Sequence, residues 1–164
     1  MITVRHARTG DGPAIVRALF ASARHHVALD ETSFRLPQAE GIAEFYDSHV
    51  EVLGPGQACF VGECDGSVVG HLWARIQYPD SSSERQVMRE LAEIRLHVDS
   101  LAVEEEHRRK GVGKALMDAA EAWGRDLGAS VASLEVNEFN DLAVRFYLGP
   151  AGYRRRALSL RKSL

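Results

Sequence analysis

The chain has 164 residues, 45% of them hydrophobic, and a formal net charge of -3. Its length suits one core in one domain over 1–164, and the faintly acidic balance argues against a nucleic-acid partner, whose phosphates call for a basic excess. Cys59 and Cys64 fit neither a redox pair nor a four-ligand zinc pattern, so they read as reduced thiols and no metal is expected. Arg5 and His6 interrupt the start where a signal peptide needs apolar residues, and no run reaches the length of a membrane span. A cytoplasmic chain with no membrane partner is the expectation.

Ile2 to Ala7 predicts a first strand, and Gly10-Asp11-Gly12-Pro13 then opens a helix running towards His26, with Ile15, Leu19 and Phe20 on its apolar stripe. A second helix is predicted from about Gln38 to Leu53, carrying Ile42, Phe45, Tyr46 and Val50 and ending at Gly54-Pro55-Gly56. Ala58 to Glu63 and Val68 to Ile76 read as an antiparallel hairpin closed by Asp65-Gly66. Tyr78 to Gln86, with Pro79 and a serine run, reads as a loop.

Glu93 to Val103 predicts a long strand, its two-residue period placing Asp99 on the side of Leu101 and Val103. Lys110 to Leu127 gives the clearest helix, with Val112, Leu116, Ala119, Trp123 and Leu127 in one stripe and Gly128 at the end. A strand from Ser130 to Val136, a helix from Asn140 to Leu148 and a last strand from Tyr153 to Leu160 complete the order β-α-α-β-β-β-α-β-α-β. The fold class is therefore α/β (α+β), a mixed sheet with helices on its faces.

Arg108-Arg109-Lys110-Gly111-Val112-Gly113-Lys114 falls between the long strand and the clearest helix. A basic, glycine-bearing turn at a helix N-terminus gathers unpaired amides and the positive dipole end, which makes an anion site. A Walker loop is excluded because Ala115 has no hydroxyl, and a dinucleotide fingerprint because Leu116 replaces its third glycine. The R-x-x-G-x-G pattern that remains, preceded by Leu101-Ala102-Val103, resembles the central acetyl-CoA motif of the GCN5-related N-acetyltransferase (GNAT) family. The resemblance implies a mostly antiparallel central sheet. It also implies acetyl-CoA as co-substrate, with the pyrophosphate on Arg108, Arg109, Lys110, Gly111, Val112, Gly113 and Lys114 and the pantetheine arm along Leu101, Ala102 and Val103.

In the helix from Asn140, the residues Asn140, Ala143 and Tyr147 share one face by their spacing. Asn140 can hydrogen-bond a ligand chain, Ala143 leaves it room, and Tyr147 can bring a hydroxyl to its end. This stretch resembles the family's final motif, N-x-x-A-x-x-x-Y followed by Gly152-Tyr153, although Gly152 stands one position further from the tyrosine than the family spacing. The resemblance implies that Tyr147 is the general acid that protonates the departing thiolate.

An attacking ammonium must first lose a proton, so a base is needed. Glu93, His97, Asp99 and Glu135 are candidates, with Asp99 and Glu93 the first to test. The adjacent His25 and His26 diverge on a helix and complete no metal site. Glu104-Glu105-Glu106 reads as a solvated turn, and the basic ending, Arg154 to Arg156 with Arg161 and Lys162, as a charged edge strand.

The family resemblance implies an N-acetyltransferase acting by direct attack in a ternary complex. Its acceptor, a small-molecule or peptide amine, would be set by residues from about His25 to Leu53 and from Tyr78 to Arg89, and homodimers are common in the family. A non-catalytic CoA-binding or sensory module is the alternative, against which Tyr147 argues.

Overall fold

The structure, a computed structural model, describes residues 1–160 and 162. One sheet holds β1 (Ile2–His6), β2 (Gln57–Cys64), β3 (Ser67–Gln77), β4 (Arg95–Val103) and β5 (Val131–Leu134) in that order. The first four strands are antiparallel and β5 runs parallel to β4. Helices α1 (Gly12–Leu29) and α2 (Ile42–Glu51) cover one face, α3 (Val112–Asp126) the other, and α4 (Asp141–Leu148) follows β5.

The predicted stripe of α3 packs as expected, but its buried centre is Leu116, Met117 and Ala120, facing Leu72, Leu96 and Val98 of the sheet. A Cβ on Gly124 would stand 3.1 Å from Leu96 Cβ, so the glycine lets the helix lie close to β4. On the opposite face Ile15 of α1 meets Cys59 and Val61, with Tyr46 and Val50 of α2 beside them. Asp65 and Gly66 both take positive φ, 51° and 84°, which the tight β2–β3 turn requires.

The start of α1 is tied to α2. Asp47 Oδ1 of α2 accepts from the N–H groups of Gly10 and Gly12 at 2.9 and 2.7 Å. A Cβ at Gly12 would lie 2.2 Å from the Ala43 carbonyl oxygen, so no other residue fits. Burial opposes the charge of Asp11 at the N-cap of α1, yet the forked hydrogen bonds from Arg5, at 2.7 and 2.9 Å, outweigh it and hold the carboxyl below its ordinary value.

Three expectations are corrected. Tyr153 to Leu160 forms no strand: three consecutive arginines break the alternation, and Arg156 turns aside to pair with Glu90 at 3.0 Å. Arg161 lies outside the described residues. Glu93 precedes β4, closing the short 3-10 turn Arg89–Ala92.

The third correction bears on the site. Trp73 pairs with Ser100 and Ala74 with Val98, so Asp99 is the extra residue of a β-bulge. Leu96 and Val98 face α3 before the bulge, and Leu101 and Val103 face it after, which removes Asp99 from their side. Asp99 instead lines a cavity with residues of α2.

Candidate active site

Beyond the bulge the sheet opens. β5 pairs only with Arg95 to Val98, while β3 stays paired with β4 as far as Val103. Glu104 N–H donates to Val69 O at 2.9 Å, so by alternation Ala102 also turns its peptide groups to β3 and Leu101 and Val103 turn theirs to the open edge. The splayed stretch thus presents backbone donors and acceptors that no strand covers.

At the end of this stretch Gly111 caps α3 at φ 93°, with no side chain capping the helix, and Arg109 takes φ 59°. The first α3 hydrogen bond runs from Ala115 N–H to Gly111 O, which leaves the amides ahead of it facing outward. A cavity of about 280 Å³ beside this turn is lined by His25, Glu105, Arg108, Arg109 and Leu142.

The basic residues of the turn divide. Arg108 donates from Nε to Val103 O at 3.1 Å and from Nη2 to Ala21 O at 3.2 Å, so it fastens the end of β4 to α1. Lys114 pairs with Asp118 one turn on, leaving Arg109 and Lys110 as the exposed cations.

Asn140, 4% exposed, is the side-chain N-cap of α4: its Oδ1 accepts from Ala143 N–H at 3.2 Å and lies 3.1 Å from His25 Nε2. Its Nδ2 lies 3.4 Å from His26 Nε2, while His26 Nδ1 donates to Ser22 O at 2.9 Å. The two histidines therefore bind α1 to α4, and the side chain expected to reach a ligand is already engaged.

Tyr147 packs between Phe146 and Tyr153, with ring centroids at 5.2 and 6.1 Å. Burial pushes its phenol up to about 12, so it holds its proton through neutral pH. The extra residue before Gly152 is absorbed in a turn where Gly152 takes φ 76° and Tyr153 N–H returns to Tyr147 O at 2.8 Å.

Across the sheet a second cavity, of about 270 Å³, lies between α2 and the bulge. Phe45, Tyr46, His49 and Trp73 wall it, and the paired Arg75 and Asp99 stand at its edge. His97 lies on the same face, its Nε2 3.9 Å from Asp99 Oδ1. Its Nδ1 lies 3.1 Å from Ser133 Oγ, which reaches Leu96 O at 3.4 Å, and Nε2 faces Asp99. Burial, aided by Arg75, lowers the histidine below its usual value and keeps it neutral. Glu93 lines neither cavity, and Glu135 is exposed.

The acetyltransferase (GNAT) family model matches residues 21–153, which span β2 to α4, the splayed edge and the glycine turn. The chain belongs to the GNAT family. Among curated relatives, an N-alpha-acetyltransferase of Sulfurisphaera tokodaii is 37% identical over 93 residues, covering 55% of this chain and 53% of that protein. An N-alpha-acetyltransferase of Saccharolobus solfataricus is 34% identical over 106 residues, covering 63% of this chain and 59% of its own. The chain thus spans little more than half the length of these relatives.

The GNAT fold is shared with solved structures. A mutant of the BH1408 protein from Bacillus halodurans superposes with a TM-score of 0.84 at 19% identity, covering 99% of each chain. Glucosamine-6-phosphate N-acetyltransferase from Arabidopsis thaliana gives 0.67 at 16% identity, covering 99% of this chain and 98% of that one. Sequence reasoning missed Trp73 and His49 as cavity residues, since an aromatic on a buried strand and a histidine on a helix carry no local signal of a shared wall.

Proposed function

We propose that the chain is an acetyl-CoA-dependent N-acetyltransferase acting on a primary amine by direct attack in a ternary complex. The observation that carries this is the open edge of β4 at Leu101 and Val103, flanked by the glycine turn at one end and by the Asp99 cavity on the other face. Peptide groups along that edge suit the amides of a pantetheine arm. The outward amides of Val112, Gly113 and Lys114, with Arg109 and Lys110, suit a pyrophosphate.

His97 Nε2 takes the proton of the incoming ammonium, directly or through water. The free amine then attacks the thioester carbonyl, forming the C–N bond, while the Leu101 N–H stabilises the charge that gathers on oxygen. As the C–S bond breaks, Tyr147 donates its hydroxyl proton to the thiolate. The acylated nitrogen sheds its second proton, which replaces through water the one Tyr147 gave up, and the proton held on His97 leaves to solvent.

Purified protein, acetyl-CoA and a panel of amines test the reading through release of free thiol. Release that depends on both the amine and Tyr147 is expected. Tight acetyl-CoA binding with no release for any amine would make the chain a CoA-binding or sensory module, and absence of acetyl-CoA binding would end both readings.

A further inference from the structure

The cavity over Trp73 has a composition that narrows its ligand. Phe45 and His49 stack at 5.2 Å, His49 and Trp73 meet at 5.5 Å, and Tyr46 and Trp73 at 5.7 Å, so four rings make a continuous wall. Phe45 is 54% exposed although it lies on the apolar side of α2, so its ring is spent on the cavity mouth rather than on the core. The charged groups at the edge are Arg75 and Asp99, and they neutralise one another.

We infer that this cavity takes a primary amine carried on an aromatic or branched apolar body, and that it disfavours polycationic acceptors. This rests on the acetyl-transfer reading above. The faces of Trp73, Tyr46 and Phe45 attract one ammonium and cover an apolar body. A second or third ammonium finds no carboxylate other than Asp99, already held by Arg75, and loses water without compensation. A carboxylate-rich acceptor fails for the matching reason, since Arg75 is engaged. At about 270 Å³ the cavity is small, below the range of roughly 300–1,000 Å³ common for ligand pockets. Two sources share the favoured chemistry, a free arylalkylamine and a peptide N-terminus with a bulky apolar first residue.

Thiol release from acetyl-CoA is compared for 2-phenylethylamine, a tripeptide beginning with phenylalanine, spermidine and kanamycin, with acetyl-CoA binding followed separately by calorimetry. The aromatic amine or the aromatic peptide is expected to exceed both polycations in kcat/KM by about tenfold or more, the equivalent of one desolvated charge or ring contact. The better of those two substrates identifies the source. Trp73→Ala and Phe45→Ala should each raise the acceptor KM about tenfold while the KM for acetyl-CoA stays unchanged. Phe45 is exposed, so its variant stays informative if the Trp73 variant does not fold. Spermidine or kanamycin matching the aromatic acceptors, or an unchanged acceptor KM in Phe45→Ala, overturns the inference and leaves acetyl transfer standing. Where acetyl-CoA binds without any turnover, saturation-transfer NMR with 2-phenylethylamine decides: binding supports the cavity assignment, and no binding overturns it. Failure to bind acetyl-CoA strikes the underlying reading instead.

Discussion

His97 precedes a β-bulge whose extra residue is Asp99, and the two side chains share one face of the sheet with Nε2 and Oδ1 3.9 Å apart. Ser133 Oγ lies 3.1 Å from the other ring nitrogen, so Nε2 is the one turned towards Asp99. Because burial lowers His97 below its usual value, it is deprotonated and able to accept at pH 7, and activity falls only as pH drops through that lowered value. In a plot of kcat/KM against pH, His97→Gln should lower the plateau about a hundredfold and abolish the acid limb. Retention of the same limb in the variant would assign it to another group.

Tyr147 makes the complementary prediction. With its phenol pushed up to about 12 by burial, Tyr147 keeps its proton through neutral pH and imposes no alkaline loss of rate below about pH 10. Tyr147→Phe keeps the ring that packs on Phe146 and Tyr153, so melting temperature should hold while kcat falls about a hundredfold and the KM for acetyl-CoA is unchanged. Near-normal kcat in this variant would mean that the thiolate leaves without help from Tyr147.

Much of this could be read from local pattern, and the remainder could not for one physical reason. The α3 stripe, the Asp65-Gly66 turn and the glycine turn at 111 are each encoded within a few residues, so they survive any tertiary context. The position of Asp99 depends on how β3 and β4 slip past one another, and register is a property of two strands. Arg108 and Asn140 are expected at the ligand from their residue types and motif positions. Their side chains also close gaps between α1 and its neighbours, a requirement that exists only after folding. The aromatic wall joins α2 to β3 across the sheet, and the arginine run after Tyr153 outweighed a β-like composition.

The turn at Gly111 supplies a third test, on cofactor binding. A Cβ there would meet only Ile2 Cδ1 at 3.5 Å, so space is available and the cost of substitution is conformational. At φ 93° an alanine carries about 1–2 kcal/mol of left-handed strain, which asparagine relieves in part through its own local hydrogen bonds. Calorimetry should therefore rank acetyl-CoA affinity as wild type, then Gly111→Asn, then Gly111→Ala, with the alanine variant about tenfold weaker as the turn relaxes. Equal affinities for all three would separate the turn from cofactor binding.

His71 gives a prediction about stability. The side chain is 0% exposed, both ring nitrogens are buried without partners among the described residues, and burial drives the ring down to about 4. Above pH 6.5 the ring is neutral in folded and unfolded chains alike, and it contributes no pH dependence. Between pH 6.5 and 4 the unfolded chain gains a proton that the folded chain refuses, so stability falls as pH falls, by a few kcal/mol in total. His71→Leu removes both the proton linkage and two unsatisfied nitrogens while keeping a similar volume between Val61 and Ala102. Urea unfolding at pH 7 and pH 5 should show the variant at least as stable as the wild type at pH 7 and clearly more stable at pH 5. A wild-type midpoint that does not move between those two values, or a leucine variant that loses stability at both, would mean that His71 finds a partner in solution and that its burial is used for more than packing.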